Sequence, residues 1–159
     1  MEQFEHLEET QLSSEAKYDG TLLHIRRDTV RLPDGKTATR EYNIHNGAVC
    51  IIPLLENGEV LLERQYRYPL REETGATAAE WHALGLFCPV GAYSTERIQM
   101  YLARGLTFGE RELDEDEFLN VFRMPLDELV NKVLAGEIPD AKTQAAALRA
   151  KLMLERGLI

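Results

Sequence analysis

The sequence predicts an α/β or α+β sandwich built around a mixed sheet. Hairpin signals fill the first two thirds of the chain, and helical patterning appears only after Pro125. At 159 residues, 44% hydrophobic and 28% charged, the chain suits one globular domain with a buried core. Residues 1–159 read as that single domain, with 1–17 a poorly structured polar lead, 18–46 an N-terminal antiparallel hairpin and 47–159 the sandwich.

Each element has its own signal. Over residues 21–32, Leu23, Ile25 and Val30 alternate with polar neighbours; Pro33-Asp34-Gly35-Lys36 supplies a turn and 37–45 returns, which predicts a hairpin. Asn46-Gly47 breaks it. Residues 48–55 read as a strand buried on both faces, Glu56-Asn57-Gly58-Glu59 turns the chain, and 60–66 pairs back. Residues 81–87 and 97–103 read as strands flanking the loop Pro89-Val90-Gly91-Ala92, with Ile98, Met100 and Leu102 alternating in the second. Residues 106–117 are expected as a long acidic loop and 118–122 as a short strand. Pro125 opens a helix with Leu126, Leu129, Val130, Val133 and Leu134 on one face, closed by Gly136. Asp140 caps a last, alanine-rich helix that runs to about residue 155. Trp81 and the phenylalanines are assigned to the core.

Composition narrows the function. Asp and Glu number 27 against 18 Lys and Arg, a formal charge of −9, and no basic run could track a nucleic-acid polymer. An anionic substrate would need local arginines or divalent cations to offset that field. The acidic N-terminus lacks the apolar segment of a signal peptide, and the longest apolar run, 48–55, is far short of a membrane span, so a cytoplasmic protein with no membrane partner is expected. Cys50 and Cys88 lie in apolar, strand-like runs without metal-ligand spacing, and read as buried reduced thiols. His6, His24, His45 and His82 are scattered and read as surface or hydrogen-bonded groups. Neither a G-x-S-x-G setting nor a P-loop is found.

The stretch Leu70-Arg71-Glu72-Glu73-Thr74-Gly75-Ala76 sets adjacent acids just before a Thr-Gly stop, as the end of a helix carrying metal-binding carboxylates would. By itself it reads as an exposed acidic last turn, and the run Leu113-Asp114-Glu115-Asp116-Glu117 as a solvated turn between strands.

Taken in order, Gly47-Ala48-Val49, Leu62-Glu63-Arg64-Gln65-Tyr66-Arg67, Arg71-Glu72-Glu73-Thr74-Gly75, Glu112 to Glu117 and Asp140-Ala141-Lys142-Thr143 resemble bacterial ADP-ribose pyrophosphatases of the Nudix hydrolase family. The likeness runs from about Tyr18 to the last helix and implies a Nudix-like α/β/α sandwich. Of the family's G-x5-E-x7-R-E-U-x-E-E-x-G-U box, U being aliphatic, only the tail is present: Leu70 at U, Glu72 and Glu73 at the paired acids, Gly75-Ala76 at the close. Pro69 stands where the Glu of the Arg-Glu dipeptide belongs. Adjacent helical residues point about 100° apart, so Glu72 and Glu73 cannot clamp one ion as an i, i+4 pair would.

The resemblance implies hydrolysis of the diphosphate of ADP-ribose or a related nucleoside diphosphate sugar. It assigns Mg²⁺ or Mn²⁺ to Glu73 first, with Glu72 and Glu117, the general base to Glu115, and substrate contacts to Arg67, Arg40, Glu41 and Glu96. The hairpin arginine would serve the neighbouring protomer of an isologous homodimer. The truncated box leaves a second class open, a catalytically silent nucleotide-sugar-binding relative. Its missing strand and helix would also leave one sheet face shortened and its apolar surface exposed.

Overall fold

The computed structural model describes residues 7–64, 76–109 and 120–159. In chain order they form β1 (Thr10–Asp19), β2 (His24–Arg31), β3 (Thr37–Ile44), β4 (Ala48–Pro53), β5 (Glu59–Arg64), β6 (Ala76–Phe87), β7 (Ile98–Phe108), β8 (Asn120–Pro125), α1 (Leu126–Leu134) and α2 (Ala141–Glu155), an α+β fold. They divide between two compact units, Met1–Ala48 with Cys88–Ile98, and Val49–Phe87 with Gln99–Ile159.

The first unit holds an antiparallel sheet in the order β1-β2-β3. Its β2–β3 turn forms as the sequence predicts. Gly35 N–H donates to the Leu32 carbonyl at 2.9 Å and Leu32 N–H to that of Lys36 at 2.8 Å, while the Asp34 carboxylate accepts the Lys36 N–H at 3.0 Å. Gly35 sits at φ 86°, open to glycine at no steric cost. The hairpin gains a strand that the sequence hides, because β1 lies where a polar lead is predicted. Every β1 residue is exposed, so no apolar alternation marks it. Its backbone ladder to β2 holds it, with register shifts between Gln11 and Ser13 and between Ala16 and Tyr18.

The second unit holds a mixed sheet, β4-β7-β6, and an antiparallel pair, β5-β8. Ala48 N–H donates to Arg97 O and Leu54 N–H to Ala103 O, a constant offset that makes β4 parallel to β7. The Thr77 and Thr107 hydroxyls meet at 2.6 Å and Ala79 faces Gly105, so β6 is antiparallel to β7. A Cβ at Gly105 would lie 2.9 Å from the Ala79 methyl carbon, which accounts for glycine there. One face of this sheet supplies the core: Ile52, Leu84, Ile98, Met100 and Leu102 are buried, as are Val60 on β5 and Leu129 on α1.

The opposite face is only partly covered: Ala103 is buried there, but apolar side chains of β4 and β6 stand open. The β4 strand is not buried on both sides as predicted, since Val49 is 61% and Ile51 41% exposed. On the same face Trp81, predicted to be core, is 52% exposed and meets Tyr101 edge-on with ring centroids 6.0 Å apart. Phe108 is exposed as well. Cys50 is half-buried, and burial followed by the nearby Asp140 carboxylate raises its thiol pKa. Cys88 is exposed rather than buried, because β6 ends one residue earlier.

The helices follow their signals with one exception. Leu126 and Leu129 of α1 are buried, but Leu134 is exposed: the helix ends there, at a turn through Ala135 and Gly136. Ala146, Ala147 and Ala150 give α2 a buried face of small side chains, and the helix packs on α1 and β6. Asp140 caps α2, accepting the Thr143 N–H at 2.8 Å, the Thr143 hydroxyl at 2.7 Å and the Lys142 ammonium at 2.7 Å. No helix among the described residues is long and apolar enough to cross a membrane.

Burial would raise the Asp140 pKa, but these hydrogen bonds from Lys142 and Thr143 outweigh it and hold the carboxyl below its ordinary 3.8. The cap therefore stabilises the fold above that pH, and its contribution is lost as pH falls through the lowered folded value. Asp140→Ala should cost about 1 kcal/mol near neutral pH and less in acid, read by urea melts at the two pH values. Trp81→Thr should reduce hydrophobic-dye binding and light scattering while shifting the melt little, because its indole is already half in solvent.

Candidate functional site

Strand alternation places the candidate residues of the first unit. Arg40 and Glu41 are neighbours on β3, so their side chains leave opposite faces of the sheet. Glu41 stands opposite Arg27 in register, its carboxylate 3.3 Å from the Arg27 Nε. Both groups are exposed, and the pair is of the kind that adds little stability.

The other face is richer. Arg40 stands opposite Asp28, which stands opposite Ser14 across the next ladder. Asp28 is 6% exposed, and its Oδ2 accepts from the Gln11 amide at 2.6 Å and the Tyr42 hydroxyl at 3.0 Å. The Ser14 hydroxyl does most to hold the Asp28 carboxyl below the usual carboxylate range, Gln11, Tyr42 and the Arg26 charge adding to it against the opposing effect of burial. Burial, then the Asp28 carboxylate, pushes the Tyr42 phenol up.

Asp28 Oδ1 is buried without a hydrogen-bond partner among the described residues, and the Arg40 guanidinium forks onto Glu9, just ahead of β1. Its Nε donates to Glu9 Oε2 at 3.0 Å, its Nη2 to Glu9 Oε1, and its Nη1 to the Thr39 carbonyl at 3.0 Å. Because β2 is the middle strand, the arginine and Glu9 meet across it.

Glu96 lies in the segment ahead of β7, which is stitched to the end of β3. Asn43 N–H donates to Tyr93 O at 2.9 Å, Thr95 N–H to Asn43 O at 3.0 Å, and His45 N–H to the Thr95 hydroxyl at 2.9 Å. His45 Nδ1 accepts the Gly47 N–H at 3.0 Å, so the neutral ring carries its proton on Nε2, which faces Glu96 Oε1 at 4.0 Å. Glu96 and Arg40 thus hang on one strand, Glu96 through contacts at its end and Arg40 three residues before Asn43. Glu41 points away from Arg40.

Arg67, Glu72, Glu73, Glu115 and Glu117 lie outside the described residues. Among the described residues no group of three or more His, Cys, Asp and Glu side chains is placed to hold a metal ion. The carboxylates that the family resemblance assigns to one are Glu72, Glu73 and Glu117, with Glu115 as the general base. Glu9, Asp28, Tyr42 and His45 were not singled out from sequence. The Pro33-Asp34-Gly35-Lys36 turn fixes the register that sets Asp28 against Arg40, so that signal was present; Glu9 was hidden in the segment read as an unstructured lead. In the second unit a shallow cavity of about 410 Å³ is lined by Leu55, Glu56, Asn57, Leu106 and Arg123, with the Arg123 guanidinium 5.7 Å from the centre of the Phe108 ring.

Residues 9–43, from Glu9 through nearly all of β3, match the family described as nucleoside diphosphate sugar hydrolase N-terminal domain. The chain is 30% identical over 168 aligned residues to an ADP-ribose pyrophosphatase of Bacillus subtilis (strain 168), covering 88% of this chain and 91% of that protein. It is 32% identical over 173 residues to an ADP-ribose pyrophosphatase of Mycobacterium tuberculosis (strain ATCC 25618 / H37Rv), covering 91% and 83%. A methanol dehydrogenase activator of Bacillus methanolicus is 29% identical over 167 residues, covering 87% and 90%. In three dimensions the chain matches a solved ADP compounds hydrolase with a TM-score of 0.78 over 95% of this chain and 97% of the other, at 19% identity, which shows a shared fold. The chain belongs to the Nudix hydrolases, among the ADP-ribose pyrophosphatase-like members of that family.

Proposed function

We propose that the protein hydrolyses the diphosphate of ADP-ribose or a related nucleoside diphosphate sugar to a nucleoside monophosphate and a sugar phosphate, at a rate well below that of a relative with an intact box. The observation that carries this reading is identity of 30% and 32% to two ADP-ribose pyrophosphatases across most of the chain. Water adds to one phosphorus, the bridging P–O bond breaks, and Glu115 takes the proton from the attacking water. Arg40 and Arg67 offer planar donor forks to the diphosphate, with Glu41 and Glu96 as further substrate contacts. Glu73, with Glu72 and Glu117, would hold Mg²⁺ or Mn²⁺, which when bound neutralises phosphate charge and acidifies water. The working form is a cytoplasmic homodimer.

Two observations support a weakened enzyme. Pro69 replaces a carboxylate of the box. The alignment with the Bacillus subtilis protein spans 168 positions although only 88% of this 159-residue chain takes part, so the relative brings residues that this chain lacks. Each 1.4 kcal/mol of lost transition-state stabilisation slows turnover about tenfold. The same observations favour a second reading, a nucleotide-sugar binder without turnover.

Release of AMP from ADP-ribose, followed with Mg²⁺ or Mn²⁺ and with EDTA, tests the proposal. Metal-dependent release that falls at least about a hundredfold in Glu115→Gln is the expected result, as for loss of a general base. Release no greater than in EDTA, from folded protein, would leave the binder as the better account.

A further inference from the structure

We infer that Glu9 is an internal competitor for the anion site on Arg40, a carboxylate that the substrate diphosphate must displace before it can take the Nε–Nη2 edge of the guanidinium. The inference rests on the proposed role of Arg40 in substrate binding and adds a residue that sets the affinity of that site.

Three observations carry it. The Glu9 carboxylate takes the Nε–Nη2 edge of the Arg40 fork, from Nε to Oε2 and from Nη2 to Oε1, the planar two-bond geometry in which a guanidinium also grips phosphate oxygens. Nη1 also donates to the Thr39 carbonyl, so three of the five guanidinium N–H donors are engaged and the Nε–Nη2 edge is closed to another anion while Glu9 is in place. Finally, the pair is open to solvent, with the Arg40 side chain 45% and the Glu9 side chain 32% exposed. An exposed pair of this kind exchanges partners readily, and a diphosphate carries more charge than one carboxylate.

Asp28, directly across from Arg40, accepts from Gln11 and Tyr42 through Oδ2 and keeps a buried Oδ1 without a hydrogen-bond partner among the described residues, whereas the Arg40 fork goes to the exposed Glu9. Glu9 therefore lowers the affinity of the site without touching the reacting atoms. It also keeps Arg40 extended over β2 when substrate is absent.

The test is calorimetric binding of ADP-ribose with Mg²⁺ in the Glu115→Gln background, which slows turnover, for four proteins: parent, Glu9→Gln, Arg40→Gln and the double variant. Glu9→Gln keeps size and an acceptor oxygen but removes the charge. It should tighten binding about two- to fivefold, the range an exposed ion pair allows. Arg40→Gln should weaken binding, and adding Glu9→Gln to it should change nothing more, since the competitor then has no fork to occupy. A purely structural Glu9, anchoring the start of β1, would weaken binding when changed, together with a lower melting temperature. Arg40→Gln that weakens binding beside Glu9→Gln that does not tighten it overturns the inference and leaves the role of Arg40 intact. Arg40→Gln without effect, or no binding by any of the four, overturns the substrate role of Arg40 and the inference with it.

Discussion

The second unit depends on β7 being paired along both edges. With β4 parallel on one side and β6 antiparallel on the other, its backbone donors and acceptors are satisfied within the sheet. That frees its side chains to sort by face, and Ile98, Met100 and Leu102 are almost fully buried on one of them. Ile52 and Leu84 extend the buried face into the two neighbours, and the alanines of α2 keep that helix slim where it meets β6. Shifting β7 by one residue against its partners would exchange this face for Gln99, Tyr101 and Ala103, so the core fixes the register.

The same alternation explains what could be read from the sequence and what could not. Period-two apolar residues in β7 and a turn such as Pro33-Asp34-Gly35-Lys36 identify their elements unaided. In β4 the run Val49-Cys50-Ile51-Ile52 is apolar throughout and reads as doubly buried, yet only the Ile52 face is covered. Sequence reports the chemistry of a strand face, whereas burial depends on whether another element lies over it. Leu134 makes the same point at a helix end. The β1 strand is the opposite case: Thr10 to Asp19 carries no burial pattern because it buries nothing, and its strand character comes from pairing with β2.

Legibility at the candidate site divides along similar lines. Arg40, Glu41 and Glu96 were reachable through the family resemblance, but not their partners. That Arg40 and Glu41 face opposite ways follows from strand period alone. That Glu96 is tied to β3 does not, since it depends on hydrogen bonds between segments some fifty residues apart in the chain. Asp28 in a strand gives no sign of burial by its residue type, and charged groups are seldom buried unless partnered. Its partners come from both flanking strands, one of which was invisible.

These constraints bear on how an arginine can remain available in a protein of formal charge −9. An excess of carboxylates means that a surface guanidinium will find one, and what matters is which. Were Arg40 to pair with the buried Asp28, releasing it would strand an unsatisfied charge away from water, a penalty far above that of an exposed pair. Gln11 and Tyr42 hold Asp28 through Oδ2 with neutral donors, while the Arg40 fork goes to Glu9, a carboxylate that can rehydrate when it lets go. The exposure of the Arg40–Glu9 pair is thus what makes this pairing reversible.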